Sequence, residues 1–254
     1  MKLIKEIFRE YDIRGIYKKE LDEETAYLIG KAYGTKLLSY GKNKSVVAYD
    51  NRLSSPSLEE HLVKGLTDTG VNVIRLGLAT TPMCYFAANY YGTNASMMIT
   101  ASHNPKEYNG FKFSYNGINN AYGKEVKEIY DIITSQSFAT GKGTIENKDI
   151  TKPYIHLITD KLSLGPRHIK VVYDCGNGTT SIIADKVFAN LNVESIPLFN
   201  ISDGSFPNHH PDPCIYENLT KLKEKVLETK ADLGIGYDGD GDRVGFIDNQ
   251  GNMI

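Results

Sequence analysis

The chain has 254 residues, of which 41% are hydrophobic, and its formal net charge is −2, from 29 basic and 31 acidic residues. This composition is typical of a soluble globular protein and gives enough length for one large domain or two ordinary ones. Because Lys and Arg are neither in excess nor gathered in a long run, the chain is not expected to bind nucleic acid or a membrane surface.

The first fifteen residues carry charges throughout and lack the apolar segment of a signal peptide. No later stretch offers the roughly 18 uninterrupted apolar residues that a membrane helix requires. The three cysteines are widely spaced and form no paired motif, which fits a reducing compartment. The sequence therefore predicts a cytoplasmic protein.

The first half of the chain reads as strands alternating with helices. The predicted strands are residues 45–49, 71–76 and 95–99, and the predicted helices are residues 57–69 and 82–91. Ser57 is the predicted N-cap of the first of these helices, and Gly70 its end. The third strand runs into the loop TASHNP, residues 100–105.

Ser102 is the candidate nucleophile of that loop. It follows a buried strand, and Asn104-Pro105 forces a turn just after it. A serine on a tight turn at the carboxyl end of a strand is expected to be exposed and positioned to react. Taken alone, a turn serine without chemistry is the commoner case.

Two basic residues in the N-terminal half of the chain are further candidates for the functional site. Lys112 lies between Phe111 and Phe113 in a strand after an Asn-Gly turn, so alternation directs Lys112 away from the core that holds the two rings. Beside a metal and apolar walls, its pKa would fall from about 10.4 towards ~7–8 and allow proton transfer. Arg14, in the segment FREYDIRG, is a candidate phosphate clamp because guanidinium binds phosphate bidentately.

Residues 137–152 show neither helical nor strand periodicity and are the predicted linker. We place the domains at residues 1–148 and 149–254. The second half then repeats the first, with predicted strands at residues 169–173, 193–199 and 231–236 and predicted helices ending near 190 and spanning 217–229. Residues 244–247 continue as a β-hairpin.

This alternation predicts an α/β fold, with two similar three-layer α/β/α domains and mixed, mainly parallel sheets. In such sheets ligands bind beyond the carboxyl ends of the strands. The two loops that follow the third strand of each unit are therefore expected to face one shared cleft.

The strongest single signal is the second of those loops, Asp238-Gly-Asp240-Gly-Asp242-Arg243. The glycines let the backbone fold tightly while three carboxylates converge. Oxygen ligands at this density suit Mg²⁺ or Ca²⁺ rather than zinc, and three neighbouring carboxylates repel one another unless a cation lies between them. The nearby loop 207–213, with three prolines and two adjacent histidines, is predicted to be structural.

The segments FREYDIRG, TASHNP, YNGFKF, FPNHHPDP and GYDGDGDR occur in this order along nearly the whole chain. Together they resemble the α-D-phosphohexomutase family and, within it, the phosphomannomutase/phosphoglucomutase branch. The resemblance implies four domains around one cleft, of which the third and fourth are expected to be absent from this chain. Little mutase turnover is then expected from these residues alone.

The resemblance also implies a role for each candidate residue. Ser102 would be the phosphoserine and, with Asp238, Asp240 and Asp242, would bind Mg²⁺. Lys112 would be the general acid/base, with His103 and Arg243 near the transferring phosphoryl group. Arg14 and Tyr11 would contact the substrate.

The implied reaction moves a phosphoryl group between positions 1 and 6 of a hexose phosphate. It passes through a hexose 1,6-bisphosphate, which also acts as activator, and the enzyme is expected to be a monomer. Two other functions stay open at this point. One is a metal-dependent sugar-phosphate phosphatase, and the other is a non-catalytic module that binds Mg²⁺ or Ca²⁺ and in which Ser102 is never modified.

Overall fold

A computed structural model describes residues 3–117, 119–191 and 193–254. The chain divides into two compact units, Met1–Asp149 and Ile150–Ile254, called unit 1 and unit 2 below. Each unit has its own sheet, and the two are described in turn.

Unit 1 is built on a six-stranded sheet. Its strands are β1 (Ile13–Ile16), β2 (Lys44–Tyr49), β3 (Asn72–Leu78), β4 (Ser96–Ile99), β5 (Tyr108–Ser114) and β6 (Ile145–Asn147), in the order β1-β5-β4-β2-β3-β6. Its helices are α1 (Glu23–Ser39), α2 (Ser55–Asp68), α3 (Thr81–Tyr90) and α4 (Lys124–Ser135). Strands β4, β2, β3 and β6 are parallel, whereas β5 runs antiparallel to both β4 and β1.

The core of unit 1 lies between this sheet and helices α1, α2 and α4. Phe111 and Phe113 of β5 point into this core, as their alternation with Lys112 predicts. Helices α1 and α2 cross very closely, because a Cβ atom on Gly30 would lie 2.3 Å from the carbonyl oxygen of Leu62. Helix α3 packs against β2 and β4.

Unit 2 repeats the pattern with four strands. They are β7 (Lys170–Asp174), β8 (Glu194–Leu198), β9 (Leu233–Tyr237) and β10 (Val244–Asp248), in the order β10-β9-β7-β8. Strands β9, β7 and β8 are parallel, and β10 is antiparallel to β9. The helices are α5 (Thr151–Thr159), α6 (Ala184–Asn190) and α7 (Thr220–Thr229). Separate apolar clusters lie against α7 and against α6.

These two units confirm the predicted fold class, with α/β/α layers and mixed, mostly parallel sheets. Each predicted strand and helix of the repeated pattern is present, with ends shifted by a few residues. The sequence analysis did not predict β1, α1, α4 or α5.

Two local predictions were wrong. The N-cap of α2 is Ser54 rather than Ser57, because Pro56 occupies the first turn of the helix, where its missing N–H costs nothing. The stretch 137–152 is not an irregular linker throughout, since Ile145–Asn147 pairs with β3 as the edge strand β6. Gly143 permits this pairing, because a Cβ atom there would lie only 1.9 Å from the carbonyl oxygen of Val71.

Candidate functional site

The loop that contains Ser102 (the serine loop) and the loop that contains the three aspartates (the aspartate loop) occupy equivalent places in their sheets. The loop with Ser102 leaves β4 and returns along the antiparallel strand β5, and the loop with three aspartates leaves β9 and returns along the antiparallel strand β10. Both β4 and β9 lie beside the central parallel strand of their unit, β2 and β7. Each loop therefore starts at the carboxyl edge of a parallel sheet, where such folds bind ligands.

Ser102 adopts a backbone conformation that is rare for a residue with a side chain. Its φ is +51°, in the left-handed region. Its amide donates a hydrogen bond of 2.8 Å to the hydroxyl of Thr100. The side chain is 0% exposed, so the prediction of an exposed serine was wrong. The loop curls inwards and directs its carbonyl groups onto a buried arginine that lies 50 residues earlier in the chain.

That arginine is Arg52, which follows β2 and is 1% exposed. Its two terminal nitrogens donate hydrogen bonds of 2.6–3.0 Å to main-chain carbonyl oxygens of the serine loop. The four acceptors belong to Ser102, Asn104, Pro105 and Tyr108. A cation at the centre of the loop thus fixes the path of its backbone.

Asp50 balances the charge of Arg52. Its carboxylate accepts hydrogen bonds from the side chain and the amide of Arg52, both at 3.1 Å, and from the hydroxyl of Ser55 at 2.6 Å. Burial raises the pKa of Asp50, while the charge of Arg52 and these hydrogen bonds act in the opposite direction. The two residues form a buried ion pair directly beneath Ser102.

Arg14 also contacts the serine loop. It is on β1, is largely buried, and donates a hydrogen bond of 2.7 Å to the side-chain oxygen of Asn104 and one of 2.5 Å to Asp12. Its Nε atom is buried and has no hydrogen-bond partner among residues 3–117, 119–191 and 193–254. Two of the three nitrogens of the predicted phosphate clamp are therefore occupied by protein groups in this structure.

The remaining predicted residues of unit 1 lie on β5, on the serine loop itself and in the turn before β1. Lys112 is buried on β5, opposite Met98 of β4. His103 is half-buried beside Ser102. Tyr11 is 71% exposed, in the turn that a hydrogen bond from the Arg9 amide to the Asp12 carbonyl closes. The lowered pKa expected of Lys112 stays a prediction.

In unit 2 the three aspartates converge as the sequence predicts. Oxygen atoms of Asp238, Asp240 and Asp242 all lie within 4.8 Å of one another, and the first two side chains are 0% exposed. Oδ1 of Asp238 accepts two hydrogen bonds of 3.0 Å from the amides of Asp242 and Arg243, which curl the loop around it. Gly241, with φ at +75°, makes this turn possible.

The aspartate loop fits a hard divalent cation. Its donors are all carboxylate oxygens, two of the carboxylates are buried, and their spacing matches ligands gathered around one ion. The guanidinium of Arg243 lies 4.0 Å from Asp242 and is half-exposed. A bound cation would relieve the repulsion between the carboxylates.

Neighbouring segments of unit 2 support this loop. The amide of Thr179 donates a hydrogen bond of 2.9 Å to the carbonyl of Gly239. Asp174, at the end of β7, is buried and lies 3.1 Å from Nε2 of His209. Burial lowers the pKa of His209, but the hydrogen bond and charge of Asp174 outweigh this and raise it overall. The loop 207–213 is thus held onto the end of the central strand.

Sequence reasoning missed Arg52, Asp50, Asp174 and His209. One signal was present in the sequence: an aspartate ends or directly follows the central strand of each unit. Nothing in the sequence indicates that the partner is an arginine two residues later in one unit and a histidine 35 residues later in the other. Among the residues that the structure describes, no helix is long and apolar enough to cross a membrane.

Comparison with known protein families matches both units. Residues 5–140 match domain I, and residues 152–251 match domain II, of the family described as phosphoglucomutase/phosphomannomutase, with an alpha/beta/alpha architecture in each.

Individual relatives agree with this match. A phosphomannomutase/phosphoglucomutase of Pseudomonas syringae pv. tomato is 44% identical over 248 residues, which cover 98% of this chain and 53% of the relative. A phosphoglucomutase of Neisseria meningitidis serogroup B is 41% identical, over 99% of this chain and 55% of the relative. A solved phosphoglucomutase/phosphomannomutase family protein from Burkholderia thailandensis is 39% identical, with a TM-score of 0.95 over 99% of this chain and 56% of that one. The chain thus spans about half the length of the curated relatives that it matches.

Proposed function

Because this chain belongs to the phosphoglucomutase/phosphomannomutase family, we propose that it carries the phosphoryl-transfer centre of a hexose-phosphate mutase. In this proposal Ser102 stores a phosphoryl group and Asp238, Asp240 and Asp242 hold Mg²⁺. The observation that carries it is the equivalence of the two loops. A serine in a constrained conformation and three converging carboxylates each follow the strand beside the centre of their sheet.

The proposed step transfers a phosphoryl group from phosphorylated Ser102 to a hexose monophosphate. A sugar hydroxyl oxygen attacks phosphorus, the bond between phosphorus and Oγ of Ser102 breaks, and a hexose 1,6-bisphosphate is released. Lys112 accepts the proton of the attacking hydroxyl, and one proton is returned to Oγ. When bound, Mg²⁺ supplies positive charge that stabilises the phosphoryl oxygens.

The other residues are proposed to position and neutralise charge. Arg243 and His103 lie on the two loops and would contact the transferring group. Arg14 and Tyr11 would contact the hexose phosphate, and Arg14 would offer its buried Nε while its other two nitrogens bond to Asn104 of the loop and to Asp12. The meeting of the two loops at one substrate stays a prediction, as do a cytoplasmic location and a monomeric state.

The burial of Ser102 favours the mutase over a phosphatase. A phosphoserine that is screened from water can wait for a sugar hydroxyl instead of being hydrolysed. A phosphoryl donor must uncover Ser102 to reach it, so phosphorylation of this serine is expected to accompany an opening of its surroundings.

A half-reaction tests the proposal, because the relatives are about twice as long as this chain. The chain is incubated with Mg²⁺ and glucose 1,6-bisphosphate, and its intact mass is measured. We expect one added phosphoryl group, lost in Ser102→Ala and retained in Ser137→Ala, whose serine is exposed and outside the loop. Continuous release of inorganic phosphate would instead indicate a phosphatase, and a chain that binds Mg²⁺ without gaining mass would indicate a non-catalytic module.

A further inference from the structure

Arg52 makes more hydrogen bonds than its ion pair with Asp50 accounts for. A guanidinium group has five N–H donors in one plane, and all five are used: one by Asp50 and four by the carbonyls of the serine loop. None of the four carbonyl acceptors is a side chain. Arg52 therefore holds the shape of the backbone between Ser102 and Tyr108.

This arrangement depends on the guanidinium in particular. Four carbonyl oxygens that converge on one point repel each other unless a donor with matching directions lies between them. An ammonium group has three donors on a single nitrogen and cannot reach four carbonyls spread over seven residues. The first carbonyl held belongs to Ser102 itself, whose left-handed φ requires support from its surroundings.

We propose that Arg52 is a positioning residue for phosphoryl transfer at Ser102. It fixes the loop from beneath so that the Ser102 hydroxyl is presented in one orientation. It acts through the main-chain carbonyl groups of the loop. This inference rests on the proposed function, since it assigns a role in the same reaction.

The proposal differs from a purely structural role in what it predicts. A residue that orients the nucleophile changes the rate of transfer at saturating donor but leaves donor binding unchanged. It also changes the motion of the loop but not that of the sheet. A misplacement of about 1 Å can slow a reaction by roughly 10²-fold.

The test compares Arg52→Lys with Arg75→Lys. Arg75 is the matched control because it is another arginine of unit 1 paired with a buried carboxylate, that of Glu59, and it lies outside the loop. Single-turnover phosphorylation by glucose 1,6-bisphosphate with Mg²⁺ is measured over a range of donor concentrations, and amide hydrogen exchange is measured on each variant.

For Arg52→Lys we expect the saturating rate to fall about 10²-fold, with the half-saturating donor concentration within about twofold of the wild-type value. Exchange should accelerate in residues 102–108 and stay unchanged in β2 and β4. Arg75→Lys should keep the wild-type rate. A wild-type rate in Arg52→Lys, a change in half-saturation alone, or faster exchange throughout the sheet would each overturn the proposal.

Two further outcomes are covered. If Arg52→Lys does not fold, ¹⁵N NMR of the wild-type chain decides: separate, slowly exchanging signals for the terminal guanidinium hydrogens of Arg52 support the proposal, and averaged signals overturn it. If the wild-type chain takes up no phosphoryl group, the proposed function fails. The exchange experiment then shows separately whether Arg52 fixes the loop.

Discussion

The serine loop and the aspartate loop each bring several oxygen atoms close together, but the two loops are held in different ways. The serine loop of unit 1 converges on a cation that belongs to the chain, the guanidinium of Arg52. The aspartate loop of unit 2 converges through three carboxylates, and its curl is held by main-chain amides bonded to Asp238. One loop presents carbonyl oxygens to an internal positive charge, and the other gathers carboxylates that are proposed to hold an ion from solution.

This difference predicts what each loop responds to. Arg52 stays charged at every physiological pH and cannot leave. The geometry of the serine loop should therefore be independent of pH and of metal. The metal ion proposed for unit 2 would exchange with solvent, and His209 titrates, so the aspartate loop should respond to both metal and pH.

The largest effect is expected from removing the carboxylate that follows each central strand. Asp50→Asn should lower the stability of unit 1 by about 3–5 kcal/mol, because it leaves the buried charge of Arg52 without its partner. Asp174→Asn should cost unit 2 less, about 1.5 kcal/mol, because His209 can lose its proton. Amide exchange of β2 and β7 measures the two free energies.

Asp68→Asn serves as the control for these variants. Asp68 pairs with Lys64 on the exposed face of α2, where the Lys64 side chain is 63% exposed, and its loss should cost less than about 1 kcal/mol. Equal losses for Asp50→Asn and Asp174→Asn would show that the kind of partner does not matter, which contradicts the comparison.

The next effect is that of Mg²⁺. At a concentration of 100 times its Kd, a ligand that binds only the folded state stabilises it by about 2.7 kcal/mol. We expect this gain in the amide exchange of β7 and β9 and none in β2 and β4. Asp240→Asn should abolish it, with a loss of affinity beyond the roughly 10–100-fold typical of changes outside the ligand shell. If Mg²⁺ protected the amides of both sheets equally, the two loops would not differ in their response to metal, which contradicts the comparison.

A smaller effect is expected from pH. The pKa of His209 is raised above its ordinary value of 6.5 by Asp174. Protonated His209 is therefore stabilising: its contribution is complete below about pH 6.5 and is lost as pH rises through the raised pKa. Unit 2 should lose stability over this interval while unit 1 does not.

An NMR titration of the His209 ring checks the direction of this pKa shift. His156 provides an internal comparison, because it lies on the exposed side of α5 with most of its side chain in solvent. In His209→Gln the dependence of unit 2 on pH should disappear over the same interval. A dependence that survives this substitution would assign it to another group.

The smallest effect, about 1 kcal/mol, concerns the left-handed residues of the two loops. Ser102→Gly should be more stable than Ser102→Ala by this amount, because glycine adopts a positive φ without steric cost. Gly241→Ala should destabilise unit 2 by a similar amount. Thermal unfolding of the variants measures both, and equal stability of Ser102→Gly and Ser102→Ala would show that the backbone at Ser102 is unstrained.

Much of the fold could be predicted from the sequence, because each repeated strand is a short β-branched or apolar run bounded by Gly, Asp or Pro. The strand β6 could not, since its residues are all exposed and it forms only because Gly143 allows the chain to approach β3. Its position depends on a tertiary contact rather than on a local pattern.

More of the candidate site could be predicted from the sequence in unit 2 than in unit 1. The convergence of Asp238, Asp240 and Asp242 was predicted because all three lie in one segment of five residues. The burial of Ser102 and the role of Arg52 were missed, because a contact between residues 50 positions apart leaves no local trace in one sequence. Motifs thus indicated the candidate reactive groups, and the structure was needed to show what holds them.

The way in which Arg52 grips its loop has a consequence for how this centre could be altered. Since the loop groups that it bonds to at hydrogen-bond distance are main-chain carbonyls, this support does not depend on the identity of the side chains that the loop displays. Other side chains could be placed on the serine loop while the hydrogen bonds from Arg52 to its backbone stay intact. The hydrogen bonds from Arg52 would then support a loop with new reactivity, and the sheet would not need to be redesigned.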